Sequence, residues 1–164
     1  MTTRLGNPAL MLCVVMWGTL IGGVAYSHIV YFSVYLSALP DSAVLVTGPF
    51  ALHEEVFWLA LHPALIISLI AAMVVNWSSR DRRRLIGASA AVYAVILVWT
   101  SVYFVPELIA FAGSQESGIP ASQWLPRAQR WETLSWVRGA ACYAGFVPLL
   151  LALTRSAQKQ TIKA

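Results

Sequence analysis

The stretch Val56–Arg84, VFWLALHPALIISLIAAMVVNWSSRDRRR, decides the fold. From Val56 to Trp77 its one ionisable side chain is His62. That run exceeds the ~20 apolar residues a helix needs to cross a hydrocarbon core ~30 Å thick. The charges then arrive together, as Arg80, Asp81, Arg82, Arg83 and Arg84. An apolar span delivered to an arginine cluster is the pattern of a membrane helix ending in a basic cytoplasmic loop.

Three further runs of this kind flank it, at about Pro8–Leu36, Leu85–Ala112 and Pro126–Thr154, the last becoming mostly apolar near Leu134. None alternates with period two, so a barrel is excluded, and helices are the other way to satisfy backbone groups in lipid. The expected fold is all-α: a four-helix transmembrane bundle forming a single integral membrane domain over residues 1–164, with helices at about 8–36, 56–77, 85–112 and 126–154. Pro126 suits the first position of the fourth helix, where its missing N–H has no intrahelical partner. The first run exceeds the ~7–15-residue apolar region of a signal peptide and has only Arg4 before it, so a retained helix is expected. Composition agrees: 59% of residues are hydrophobic and 11% charged, against roughly 25% charged in soluble domains.

The basic residues give an orientation. Arg4, the loop Ser78–Arg84 and the tail with Arg155, Lys159 and Lys163 share one side, holding eight of the eleven Lys and Arg against one acid, Asp81. Loops Ala38–Glu55 and Gly113–Thr133 lie opposite and carry most of the acids. The positive-inside rule puts both termini in the cytoplasm. The Ala/Arg-rich composition suggests a bacterial plasma (inner) membrane. The pI near 9.4 then reflects topology, and no nucleic-acid partner is expected. Cys13 and Cys142 lie inside helices without a CxxC, which argues against thiol–disulfide chemistry.

Polar residues inside the spans gather at one depth, towards the long-loop side. His28 lies on the first helix, His62 on the second, Glu107 on the third and Arg138 on the fourth. Ionisable groups in a bilayer cost ~2.5–3.5 kcal/mol each on insertion scales, so they face a bundle interior or a wet cavity. Helical phase groups them further, since residues seven apart lie almost in line. Glu55, Trp58 and His62 form one stripe, Thr100, Tyr103 and Glu107 a second, His28, Tyr31 and Tyr35 a third, and Arg127, Trp131 and Arg138 a fourth. The four stripes suffice to enclose one pocket opening to the outer leaflet. Plainer readings stand beside this one. A Glu107–Arg138 ion pair can simply lock two helices, Tyr and Trp gather at membrane interfaces, and Glu54 and Glu55 can be solvated loop-end charges. Gly18, Gly22 and Gly23 suit close helix packing.

Glu55 and His62 are about 10 Å apart along one helix, and no HxxH, HxxxH or ExxH spacing occurs, so no metal site is expected. A haem b held by His28 and His62 is the alternative. Acid–base chemistry without a cofactor fits better: a carboxylate in a dry pocket takes a proton, while an arginine and Tyr or His donors hold the resulting oxyanion. Glu107 or Glu55 would be the base, Arg138 with Arg130 the anion holder, and His62 and His28 the positioning groups. Trp58, Tyr103, Trp131 and Tyr31 would wall in a flat, lipophilic substrate.

The segments WGTLIGGVAYSHIVYF (17–32), FWLALHPALI (57–66) and RWETLSWVRGA (130–140) resemble the small four-helix membrane family that includes anthrone oxygenases. Trp131, Ser135 and Arg138 match the family's Trp, polar residue and Arg at the opening of the fourth helix, and Ser135 stands near where a His is frequent. The resemblance implies a monooxygenase that converts a polyketide anthrone to an anthraquinone with O₂ and no evident cofactor. An isoprenoid-like lipophile is a second substrate class. The rival reading is a non-catalytic membrane subunit, or a haem- or quinone-binding protein, acting with a partner chain or as a homo-oligomer amid membrane lipid.

Overall fold

The structure, a computed structural model, describes residues 2–155, with side chains from residue 6 onward. Lys159 and Lys163, and the side chain of Arg4, lie outside the described residues. Four helices are long and apolar enough to cross a membrane: α1 (Gly6–Tyr35), α2 (Glu54–Val75), α3 (Arg80–Ala112) and α4 (Ala121–Thr154). Among the described residues there is no strand.

Two boundaries differ from expectation. Helix α4 begins at Ala121, after Pro120 at the N-cap position, and Pro126 lies inside it rather than at its first position. Helix α3 begins at Arg80, directly after Ser79, so the arginine cluster is the helix's first turn and not a loop. Nothing in the hydropathy of polar turns separates helix from loop, because propensity and not apolarity decides there.

The helices form an arc in the order α2, α1, α4, α3. α1 packs along both α2 and α4, and α3 packs along α4. α3 packs less closely on α2, which it meets at Tyr93 and His62, and the Thr100–Ala112 part of α3 stands away from α2. Lipid is as apolar as a side chain, so close van der Waals packing at small residues holds such helices together. Gly145 is one such point, since a Cβ there would fall 2.6 Å from Trp17 Cζ2. The buried Trp17 indole also donates to the Cys142 carbonyl at 2.9 Å. Gly23 is another, lying against Phe57 and Trp58. Gly18 and Gly22 face open space, so the expected close packing falls to Gly23 alone of the three.

At the end holding the start of α1, the α2–α3 turn and the end of α4, a polar knot ties all four helices. Arg82, 2% exposed, donates to Asn76 Oδ1 at 3.0 Å and, through Nε and Nη2, to the Arg155 carbonyl at 2.9 and 2.5 Å. Asn76 Nδ2 donates to the carbonyls of Gly6 and Ala72 at 3.1 and 2.9 Å. Cations belong beside carbonyls left open at a helix C-terminus. One apolar cluster, around Leu10, Trp17, Leu65, Ile86 and Leu149, fills the half of the bundle next to this knot. A second, around Phe32, Tyr35, Phe104, Phe111, Trp124 and Trp131, fills the long-loop half.

Candidate functional site

A cavity of about 720 Å³ opens in the long-loop half, lined by all four helices and by Val46, Leu52 and His53 of the first connection. It is within the usual ~300–1,000 Å³ of ligand pockets, and like them it is mostly apolar with a few convergent polar groups. Two π-helical turns face it, Ser27–Phe32 in α1 and Thr100–Phe104 in α3. Such turns insert one residue into the helical ladder and recur at functional sites. Cavity-lining residues recur every four positions through these turns: Leu20, Val24, His28 and Phe32 on α1, and Leu97, Ser101, Val105 and Ile109 on α3.

Arg138 supplies the cavity's positive charge. Its Nη1 donates to Thr100 Oγ1 at 3.1 Å, its Nη2 to Ser135 Oγ at 2.9 Å, and its guanidinium lies 4.0 Å over the Phe104 ring. Among the described residues no carboxylate pairs with it. Its held partners are neutral, so its charge remains available to an anion in the cavity. Glu54, half-buried at the first turn of α2, also lines the cavity and accepts a hydrogen bond from the Ser27 hydroxyl. The α2 N-terminus favours a carboxylate there.

His62 Nδ1 and the buried Tyr93 hydroxyl lie 2.7 Å apart in a hydrogen bond, and the Trp58 ring stacks on His62 with centroids 5.8 Å apart. His28 Nδ1 sits 2.7 Å from the Val24 carbonyl. That oxygen can only accept, so the proton is on Nδ1 and Nε2 carries the lone pair. Nε2 is fully buried, with no partner among the described residues. The ring lies 4.6 Å from Trp136 and 5.6 Å from Phe32 by centroid. Tyr31 stacks on Tyr35 at 5.6 Å, and both line the cavity.

Of the residues singled out from the sequence, Arg138, His62, His28, Glu55, Trp58 and Tyr31 line the cavity. Glu55 does so from the exposed rim, where its carboxylate is 2.8 Å from His53 Nδ1. Glu107, Arg130, Tyr103 and Trp131 do not line it. Glu107 pairs with Arg127, not Arg138, through bonds of 2.5 and 2.9 Å. Trp131 is a core residue, 0% exposed, whose indole donates to the Phe104 carbonyl at 3.1 Å and so braces the α3 π turn. Arg130 is exposed. The stripe Arg127, Trp131 and Arg138 is therefore not an outward face. The sequence reading missed Glu54 as a cavity residue. It shares a helical face with Trp58 and His62 at spacings of four, but phase alone does not separate it from Glu55.

Among the described residues no three His, Cys, Asp or Glu side chains gather as a metal site would need. A family model described as anthrone oxygenase matches residues 54–148, which hold Glu54, His62, Thr100 and Arg138. No match to the chain is found among curated proteins or solved structures.

Proposed function

The chain belongs to the anthrone oxygenase family, and from that premise we propose that its cavity is the site of a cofactor-free oxygenation of a small lipophilic aromatic. The observation that carries this reading is Arg138, a guanidinium lining a membrane-embedded cavity with neutral hydrogen-bond partners only. Such a group stabilises charge that develops on a bound oxygen during reaction.

In this proposal Glu54 takes the proton from the activated CH₂ of an anthrone. The electron pair left behind delocalises onto the ring oxygen, which Arg138 holds as an anion. That anion gives electrons to O₂ and forms the new C–O bond as a peroxide anion, which takes the proton back from Glu54 to become a hydroperoxide. Loss of water leaves the second carbonyl: anthrone plus O₂ gives anthraquinone plus H₂O. His62, held by Tyr93, positions the ring, and Trp58 and Tyr31 wall it in. Glu54 replaces Glu107, which is occupied by Arg127, and Glu55, which is solvated at the rim. The same proposal keeps the arginine-rich end of the bundle in the cytoplasm of a bacterial plasma membrane, checked by which side of oriented cells labels a single cysteine in the Ser114–Glu116 connection.

The test is oxygen uptake and anthraquinone formation by the purified protein in lipid nanodiscs supplied with unsubstituted anthrone. Glu54→Gln should lower the rate about a hundredfold while anthrone still binds. Tight binding of anthraquinone with no oxygen uptake would instead favour the quinone-binding reading. A Soret absorption from protein made with haem available would favour the haem reading.

A further inference from the structure

One side of the cavity lies between two helices that stand apart. Glu55, Leu59 and Pro63 recur every four residues on α2, and Ser101, Val105 and Ile109 do the same on α3. All six line the cavity and all six are accessible rather than packed against protein. Leu59 is 72% and Ile109 68% exposed. Walls this accessible belong to a cavity that is open rather than sealed. Both rails border the gap where α2 and the second half of α3 stand apart. Each rail runs about 12 Å along its helix, on helices whose outer surface is hydrocarbon-facing.

The rails offer little to water. Ser101 Oγ is spent on the Leu97 carbonyl at 2.9 Å, the side chains of Leu59, Pro63, Val105 and Ile109 are apolar, and the one backbone group freed on the α2 rail is the Leu59 carbonyl, which Pro63 cannot bond. The charged groups lie at the top, with Glu55, Glu54 and His53, and deeper in, with Arg138, while His28, His62 and Thr100 add polar lining behind the rails. We propose that the gap between α2 and α3 is a bilayer-side portal, through which a lipophilic aromatic dissolved in the membrane reaches Arg138 without passing through water. This rests on reading the cavity as a substrate site. A membrane-dissolved aromatic meets apolar rails first and the charge last, so the route sorts substrates by partitioning before any polar group is engaged.

The test reads access and does not depend on turnover. With Cys13 and Cys142 replaced by Ala, a single Leu97→Cys, which lines the cavity, is labelled in lipid nanodiscs. One reagent is the lipid-soluble N-benzylmaleimide, the other a sulfonated maleimide confined to water. The benzyl reagent should label and the sulfonated one should not. Val105→Trp and Ile109→Trp, each at the rail, should slow the benzyl reaction about tenfold, within the one to three decades over which such access rates vary. Val102→Trp, as exposed as the rails but away from the cavity, should leave it unchanged. Size-exclusion profiles and thermal stability matching the parent exclude misfolding of any variant. Equal labelling by the sulfonated reagent, or no effect of either rail tryptophan, would overturn the portal in favour of a water-side route past His53 and Glu55. Absence of labelling by both reagents would overturn it too, with a doubled particle mass pointing to a second copy over the gap. A chain that admits the benzyl reagent through the rails but oxidises no anthrone would sink the oxygenase reading and leave the portal standing.

Discussion

Arg82 and Arg138 are two arginines on membrane-spanning helices, at opposite ends of the same bundle, and they are compensated in opposite ways. Arg82 is 2% exposed and its donors reach the Arg155 carbonyl and the Asn76 amide oxygen, which in turn is anchored to Gly6 and Ala72. Arg138 rests on two hydroxyls and an aromatic face beside a large cavity. Burial alone does not distinguish a structural charge from a working one. The difference lies in whether the partners complete the charge or leave it facing space that a ligand can fill.

Each arginine can be removed to break this contrast. Arg138→Gln should cost about a thousandfold in turnover of anthrone, near 4 kcal/mol of transition-state stabilisation, while the unfolding midpoint in micelles stays put. Full activity in that variant would remove Arg138 from the chemistry. Arg82→Leu should do the reverse. It strips bonds that hold the start of α3 to the ends of α2 and α4 and leaves the buried Asn76 amide oxygen and the Arg155 carbonyl unmatched, a loss of about 3 kcal/mol in reversible unfolding, with turnover per folded molecule preserved. A stability change below about 1 kcal/mol would mean that the knot is decoration. The smallest effect belongs to Glu107→Gln. Its pair with Arg127 is part-exposed, 18% on the glutamate side and 40% on the arginine side, so the expected change is under about 1 kcal/mol in stability with no change in turnover. A large loss of activity there would return the base to α3 and displace Glu54.

How the candidate site was legible in the sequence follows the same lines. Depth along an apolar run needs only counting, and it picked out His28, His62 and Arg138 correctly as lining one cavity. Phase around a helix needs a regular ladder, and there the reading failed on α3. It aligned Thr100 with Tyr103 and Glu107, the spacing of an ideal α-helix. The π turn Thr100–Phe104 holds an extra residue, so the cavity face continues through Phe104, Leu108 and Ala112. Tyr103 and Glu107 are rotated away towards Arg127. The Glu107–Arg138 pairing failed for the same reason.

By itself the sequence determined that four apolar helices are the elements, because a hydrocarbon solvent leaves a backbone few other ways to satisfy its hydrogen bonds. It also fixed the layer of polar residues, because the cost of intramembrane charge makes each one conspicuous. The tertiary structure decided the rest: that Arg82 is a clasp, that Glu54 lines the cavity by way of Ser27, that Trp131 braces a π turn, and that α2 and α3 part to leave an opening. Those outcomes depend on which helix lies beside which and on a one-residue slip in the ladder. Contacts between residues distant in the chain settle both, and no local pattern encodes them.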